Sequence, residues 1–102
     1  MVSKAQEWEK MNEEQAEIRA IGVLSWIVNN EELLPVFLGA SGAGESDLRQ
    51  RIKDVEFLAS VLDFLMMDDA WVVQYCDSEN LPYDSPMHAR QALPGGTDVA
   101  WT

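Results

Sequence analysis

Asn12-Glu13-Glu14-Gln15-Ala16-Glu17-Ile18-Arg19-Ala20-Ile21-Gly22-Val23-Leu24-Ser25-Trp26-Ile27-Val28-Asn29 is the stretch that decides the fold class. Its Ala16, Ala20, Val23, Leu24 and Ile27 recur at three- and four-residue intervals, the spacing that lines one side of an α-helix. Asn12 stands where a helix cap is needed, and Gln15, three residues on, can reach back to it as in a capping box. Glu13, Glu14 and Glu17 lie near the positive end of the helix dipole, which favours carboxylates. These signals predict a helix over 13–29. The side opposite the apolar stripe holds Ile18, Gly22, Ser25 and Asn29, flanked by Trp26. A glycine in mid-helix costs about 1 kcal/mol against alanine, and Ile18 puts an apolar side chain where water would otherwise be. Ile18, Gly22, Ser25, Trp26 and Asn29 are therefore the candidate interaction face, since small residues let a second helix approach closely.

The same rules extend along the chain. Asn30 caps a second, shorter helix through Leu34, Phe37 and Leu38, although Pro35 sits late for a first-turn proline. Gly39-Ala40-Ser41-Gly42-Ala43-Gly44 reads as a flexible connection, and Ser46 to Ile52 as a third helix with its acids early and its bases late. Asp54 caps a fourth helix, in which Phe57, Leu58, Val61, Phe64 and Leu65 face the core, with Ser60 and Asp63 on the other side. Asp68 caps a fifth from Asp69 to about Glu79, carrying Trp71, Val72, Val73, Tyr75 and Cys76 until Asn80-Leu81-Pro82 stops it. Ser85 before Pro86 is a cap with proline in the first helical position, opening a last helix to Leu93 that Pro94-Gly95-Gly96 ends. No run alternates with period two, and no segment repeats. The expected fold is all-α, a single compact bundle-like domain of about five or six short helices. It should span 12–96, after a loosely ordered lead-in over 1–11 that holds Trp8 and before a tail over 97–102 that holds Trp101.

Composition narrows the function classes. The 102 residues are one domain's worth, and with 47% hydrophobic and 25% charged residues the chain is too apolar for disorder. Its 18 acidic against 7 basic side chains leave a net charge of -11, which opposes binding driven by phosphate neutralisation. Arg49, Arg51 and Lys53 form the candidate basic patch, and a small regulatory nucleic-acid-associated protein using it is the alternative reading. The plainer account of the patch is a solvated helix end, ion-paired to Glu45, Asp47 or Asp54. One cysteine, Cys76, excludes an intrachain disulfide and suits a reducing compartment. The first residues lack the apolar run of a secretory signal. The greasy region from Phe57 to Cys76 is broken by Asp63, Asp68 and Asp69, each costing about 2.5–3.5 kcal/mol in a bilayer. A cytoplasmic protein with no membrane segment is expected.

Each apparent catalytic or ligand motif has a missing part. Gly39-Ala40-Ser41-Gly42-Ala43-Gly44-Glu45-Ser46 has the spacing of a phosphate-binding P-loop, but Glu45 replaces the lysine and would repel phosphate. Asp63, Asp68 and Asp69 invite a metal, yet helical spacing does not converge their oxygens as a hard cation requires. Asp77-Ser78-Glu79-Asn80 lacks the turn glycine of a calcium loop, and one histidine with one cysteine is too few ligands for zinc. Cys76 and His88 could be imagined as nucleophile and base, but Cys76 beside Val72, Val73 and Tyr75 reads as a small core residue, and His88 as solvent-facing. No catalytic residue, cofactor, metal or nucleotide is expected, and the chain is not read as an enzyme; an enzyme with an unrecognised site is the third alternative.

Four segments also carry a family likeness: Phe37-Leu38 before its glycine-bearing loop; Asp47-Leu48-Arg49; Phe57-Leu58-Ala59-Ser60-Val61-Leu62-Asp63-Phe64-Leu65 with Asp68-Asp69; and Ala89-Arg90-Gln91-Ala92-Leu93-Pro94-Gly95-Gly96. In this order and spacing, with the closing Trp101-Thr102, the chain from about Met11 onward resembles the small bacterial family catalogued as domain of unknown function 3572, found mainly in alphaproteobacteria. The resemblance implies no assigned activity and no catalytic residues to carry over. Many members have a histidine just before the final tryptophan, where this chain has Ala100, which argues against a metal-binding tail. The leading expectation is a helical protein–protein interaction module with an acidic surface. Its partner would be another protein with a basic surface or a second copy of the chain.

Overall fold

A computed structural model of the chain describes residues 12–93. The capping box forms: the Gln15 N–H donates to Asn12 Oδ1 at 2.7 Å, and the Asn12 N–H donates to Gln15 Oε1 at 3.1 Å. It opens α1, Glu13–Val28, which stops one residue short of the expected end at Asn29. Both the backbone N–H and the side-chain amide of Asn29 donate to the Ser25 carbonyl there, at 3.1 and 2.9 Å.

The next element differs from the expected one at both ends. Asn30 Oδ1 accepts the Glu32 and Leu33 N–H groups at 3.1 and 3.2 Å, so it caps a turn rather than the helix. The helix proper, α2 (Leu34–Ser41), starts later and so places Pro35 in its first turn, where a missing N–H breaks no intrahelical bond. It also runs through Gly39 and Ala40, so half of the expected flexible connection is helical. Gly42 ends it at φ 72°, in the left-handed region that a side chain would disfavour. The single helix expected over 46–52 is split into a 3₁₀ turn, Glu45–Asp47, and α3, Leu48–Arg51.

Local rules place the remaining elements closely. Asp54 accepts the Glu56 N–H at 2.9 Å and opens α4, Val55–Leu65. Asp68 accepts the Ala70 N–H at 2.8 Å and opens α5, Asp69–Glu79, which Asn80 closes at φ 55°. The last helix, α6 (Ser85–Ala92), has Asp84 rather than Ser85 at its N-cap position, with no side-chain cap bond. Ser85 is instead its first residue and is buried with Pro86. No strand occurs among the described residues, and the fold is all-α. The lead-in over 1–11, the Pro94-Gly95-Gly96 stop and the tail over 97–102 lie outside the described residues.

α1, α4 and α6 pack on one another around the core. α4 lies deepest, with Phe57, Leu58, Ala59, Val61, Leu62, Phe64 and Leu65 all buried. Phe37 of α2 meets Phe64 edge-on at 5.1 Å between ring centroids, and Phe64 stacks on Trp71 of α5 at 4.9 Å. These rings tie three helices together, and aromatic pairs in such geometry add about 0.5–1.5 kcal/mol beyond the area they bury. Arg90 Nε donates to Asp63 Oδ1 at 2.8 Å, joining α6 to α4 at the edge of the core. Asp63 does lie off the core side of α4, but it has this partner rather than facing water alone.

Candidate functional site

α1 is buried along one side only. Ala16, Ala20, Val23, Leu24 and Ile27 are in the core, whereas Ile18, Gly22, Ser25 and Asn29 are exposed on the opposite side. Ile18 is 63% exposed. Trp26 departs from that group: it is half-buried against the core, with the Tyr75 ring of α5 edge-on at 5.8 Å. Two further apolar residues, Ile21 and Val28, are each 38% exposed. With Ile18 and Ser25 they fall at 18, 21, 25 and 28, the alternating three- and four-residue spacing that forms one seam on a helix. That spacing was present in the sequence, but Ile21 and Val28 cannot be told from core positions until the neighbouring helices are placed.

Gly22 has a use inside the molecule. A Cβ at Gly22 would stand 3.3 Å from the Tyr75 hydroxyl oxygen, tighter than an ordinary contact. The glycine thus makes room for a side chain of α5, and close approach by a partner is not needed to account for it. Tyr75 is 1% exposed, and burial pushes its hydroxyl above the usual tyrosine range. The Arg19 guanidinium nearby pulls it part of the way back. Arg19 is the one basic residue of α1, and its Nε is buried without a hydrogen-bond partner. At the C-terminal end of α1, Trp26, Asn29, Asn30, Glu31 and Glu32 line an open cleft. The last turn of α1 contains no basic residue to offset the negative end of its dipole, and Glu31 and Glu32 add two exposed carboxylates there.

The basic patch is exposed but hemmed by acids. The Arg51 guanidinium lies 5.6 Å over the Phe57 ring, and Arg51 shares an open cleft with Asp47, Gln50 and Asp54. Arg49 and Lys53 are also exposed. The expected ion pairs from this patch to Glu45, Asp47 or Asp54 do not form among the described residues. Elsewhere Arg90 pairs with Asp63 at 2.8 Å, and His88 Nε2 lies 3.3 Å from Asp84 Oδ2.

The catalytic candidates acquire structural roles. Cys76 is fully buried, and burial raises its thiol above the usual range, opposite to what a nucleophilic thiolate needs. His88 is half-buried beside Asp84 rather than facing solvent. Asp68 caps α5 and Asp63 holds Arg90. Among the described residues no group of three or more His, Cys, Asp or Glu side chains is placed to hold a metal ion. Gly39 to Ser41 form the end of a helix instead of the start of a phosphate-cradling loop. No helix among the described residues is long and apolar enough to cross a membrane.

No curated protein and no solved structure matches the chain. A family model does match, over residues 13–96, which takes in every helix described above and both ends of the outer face of α1. The chain therefore belongs to the family described as "Protein of unknown function (DUF3572)".

Proposed function

We propose that this chain is a cytoplasmic protein–protein interaction module that binds its partner through the outer side of α1 and the acidic surface around it. The observation that carries the reading is Ile18, 63% exposed, with Ile21 and Val28 each 38% exposed at the same three- and four-residue spacing along α1. Helices in small domains bury their apolar residues, so a repeated apolar seam left in water is a contact surface waiting for an occupant. Exposed carboxylates at Glu14, Glu31, Glu32, Glu45, Asp47, Asp77 and Glu79 supply the acidic surface, and would make association salt-sensitive. A lone buried thiol, Cys76, is at home in a reducing compartment.

The test is affinity capture of the tagged full-length protein from its native cell, in parallel with Ile18→Glu. The expected result is a co-purifying protein present with wild type and lost with the variant, whose helical circular dichroism is unchanged. The same protein captured equally by both would remove α1 from the reading.

A further inference from the structure

We infer that the occupant of the outer side of α1 is an amphipathic helix of another protein, with a short apolar seam and basic residues beyond both of its ends. The inference rests on the interaction reading above and adds the chemistry of the partner. Ile18, Ile21, Ser25 and Val28 form a seam of about 15 Å, three helical turns, at the a and d spacing that accepts knobs from a second helix. Ser25 at its centre, with exposed Gly22 beside it, keeps the middle of the seam low.

Both ends of the seam are acidic. Glu14 precedes Ile18 by about one turn and Glu17 directly adjoins it, while exposed Glu31 and Glu32 follow Val28 just beyond the end of α1. The one cation on α1, Arg19, makes no salt bridge to these carboxylates among the described residues. The cleft lined by Trp26, Glu31 and Glu32 also offers an aromatic ring beside two carboxylates at the negative end of the helix, which suits a guanidinium or ammonium group.

This charge pattern selects against a second copy. Pairing two α1 helices in parallel sets each acidic end against itself. Pairing them antiparallel sets Glu14 and Glu17 against Glu31 and Glu32. Both arrangements place like charges together, in chains that each carry -11. A basic amphipathic helix meets neither obstacle.

A synthetic helical peptide tests this with the full-length protein. The probe has leucine at a and d over three turns and two lysines or arginines beyond each end; its control has glutamates in place of the bases. Titration is followed by the amide signals of Ile18, Ile21, Ser25 and Val28 and by the Trp26 indole signal. Three variants are compared: Ile18→Glu, the pair Glu31→Lys with Glu32→Lys, and the charge-matched pair Glu45→Lys with Glu79→Lys. The expected result is shifts confined to α1 and its terminal cleft with the basic probe and none with the acidic one. Binding should weaken at least tenfold in Ile18→Glu and in the Glu31/Glu32 pair, and by less than threefold in the Glu45/Glu79 pair. Equal weakening by the two charge pairs, or binding insensitive to Ile18→Glu, would overturn the inference, since general attraction would then account for the complex. A wild-type dimer that Ile18→Glu converts to monomer would overturn the partner chemistry proposed here while leaving the interaction reading in place.

Discussion

α1 and α4 are the two helices that do most to build the core, and they are built on opposite terms. Seven of the eleven residues of α4 are buried, against five of the sixteen of α1. α4 touches the core around most of its circumference and is fixed by rings on two neighbouring helices. α1 commits one stripe to the core and leaves an apolar seam in water. The contrast separates residues the fold needs from residues it merely tolerates. A substitution on α4 should test stability, and one on the outer side of α1 should test binding.

The largest effect is expected from Phe64→Ala. It removes a ring that contacts both Phe37 and Trp71, and truncation of such a buried aromatic costs about 3–5 kcal/mol. Since a small domain has about 5–15 kcal/mol in total, thermal melts should show a protein that is unfolded or nearly so at moderate temperature. A melting temperature within a few degrees of wild type would mean that α4 is no more essential than α1.

Alkali should come next, and it acts between α1 and α5. Burial raises the hydroxyl of Tyr75 and the thiol of Cys76, so both hold their protons longer in the folded chain than in the unfolded one. Tyr83, which donates to Asp77, is raised as well. Above the ordinary values of 9.0 for Cys76 and 10.0 for Tyr75, the unfolded state binds fewer protons than the folded state. Stability is therefore full below that range and falls as pH rises through it. Denaturant melts between pH 8 and 11 should show this decline, and Tyr75→Phe with Cys76→Ala should flatten it.

A smaller effect joins the two sides of α1. Tyr75→Phe removes a buried hydroxyl close to Arg19 and should cost about 1 kcal/mol. It also clears the space beside Gly22. In that background Gly22→Ala should recover about 1 kcal/mol of helix propensity, whereas in wild type the same change should gain less because the hydroxyl is in the way. Equilibrium unfolding of the four proteins in this cycle gives the coupling directly. Additive effects would show that Gly22 and Tyr75 do not meet as described.

Much of this architecture was legible in the chain. The Asn12–Gln15 box, the Asp54 and Asp68 caps and the Asn80 stop are local devices, satisfied within four residues of where they are written, so they predict helix ends well. The α2 region was harder, because Pro35 and the glycines that follow suit either a late helix start or a linker. What could not be read are contacts between distant residues. Arg90 reaches Asp63 across 27 positions, and Tyr75 explains a glycine at position 22 that looked designed for a partner. Ile18 of the candidate face could be singled out because it interrupts a polar side, whereas Ile21 and Val28, which that face did not include, show their partial exposure only once α1 is packed.

The least effect on stability, and the largest on function, is expected at Ile18. Surface substitutions usually stay within about 0.5 kcal/mol, so Ile18→Glu should melt like wild type while losing its partner. The most direct measurement places a photoreactive amino acid at position 18 in the living cell, and at Tyr83, an exposed residue of the α5–α6 connection, for comparison. The account predicts a discrete, heavier cross-linked product from position 18 that is absent from position 83. A product from position 83 and none from position 18 would contradict the claim that the outer side of α1 is where this protein meets its partner.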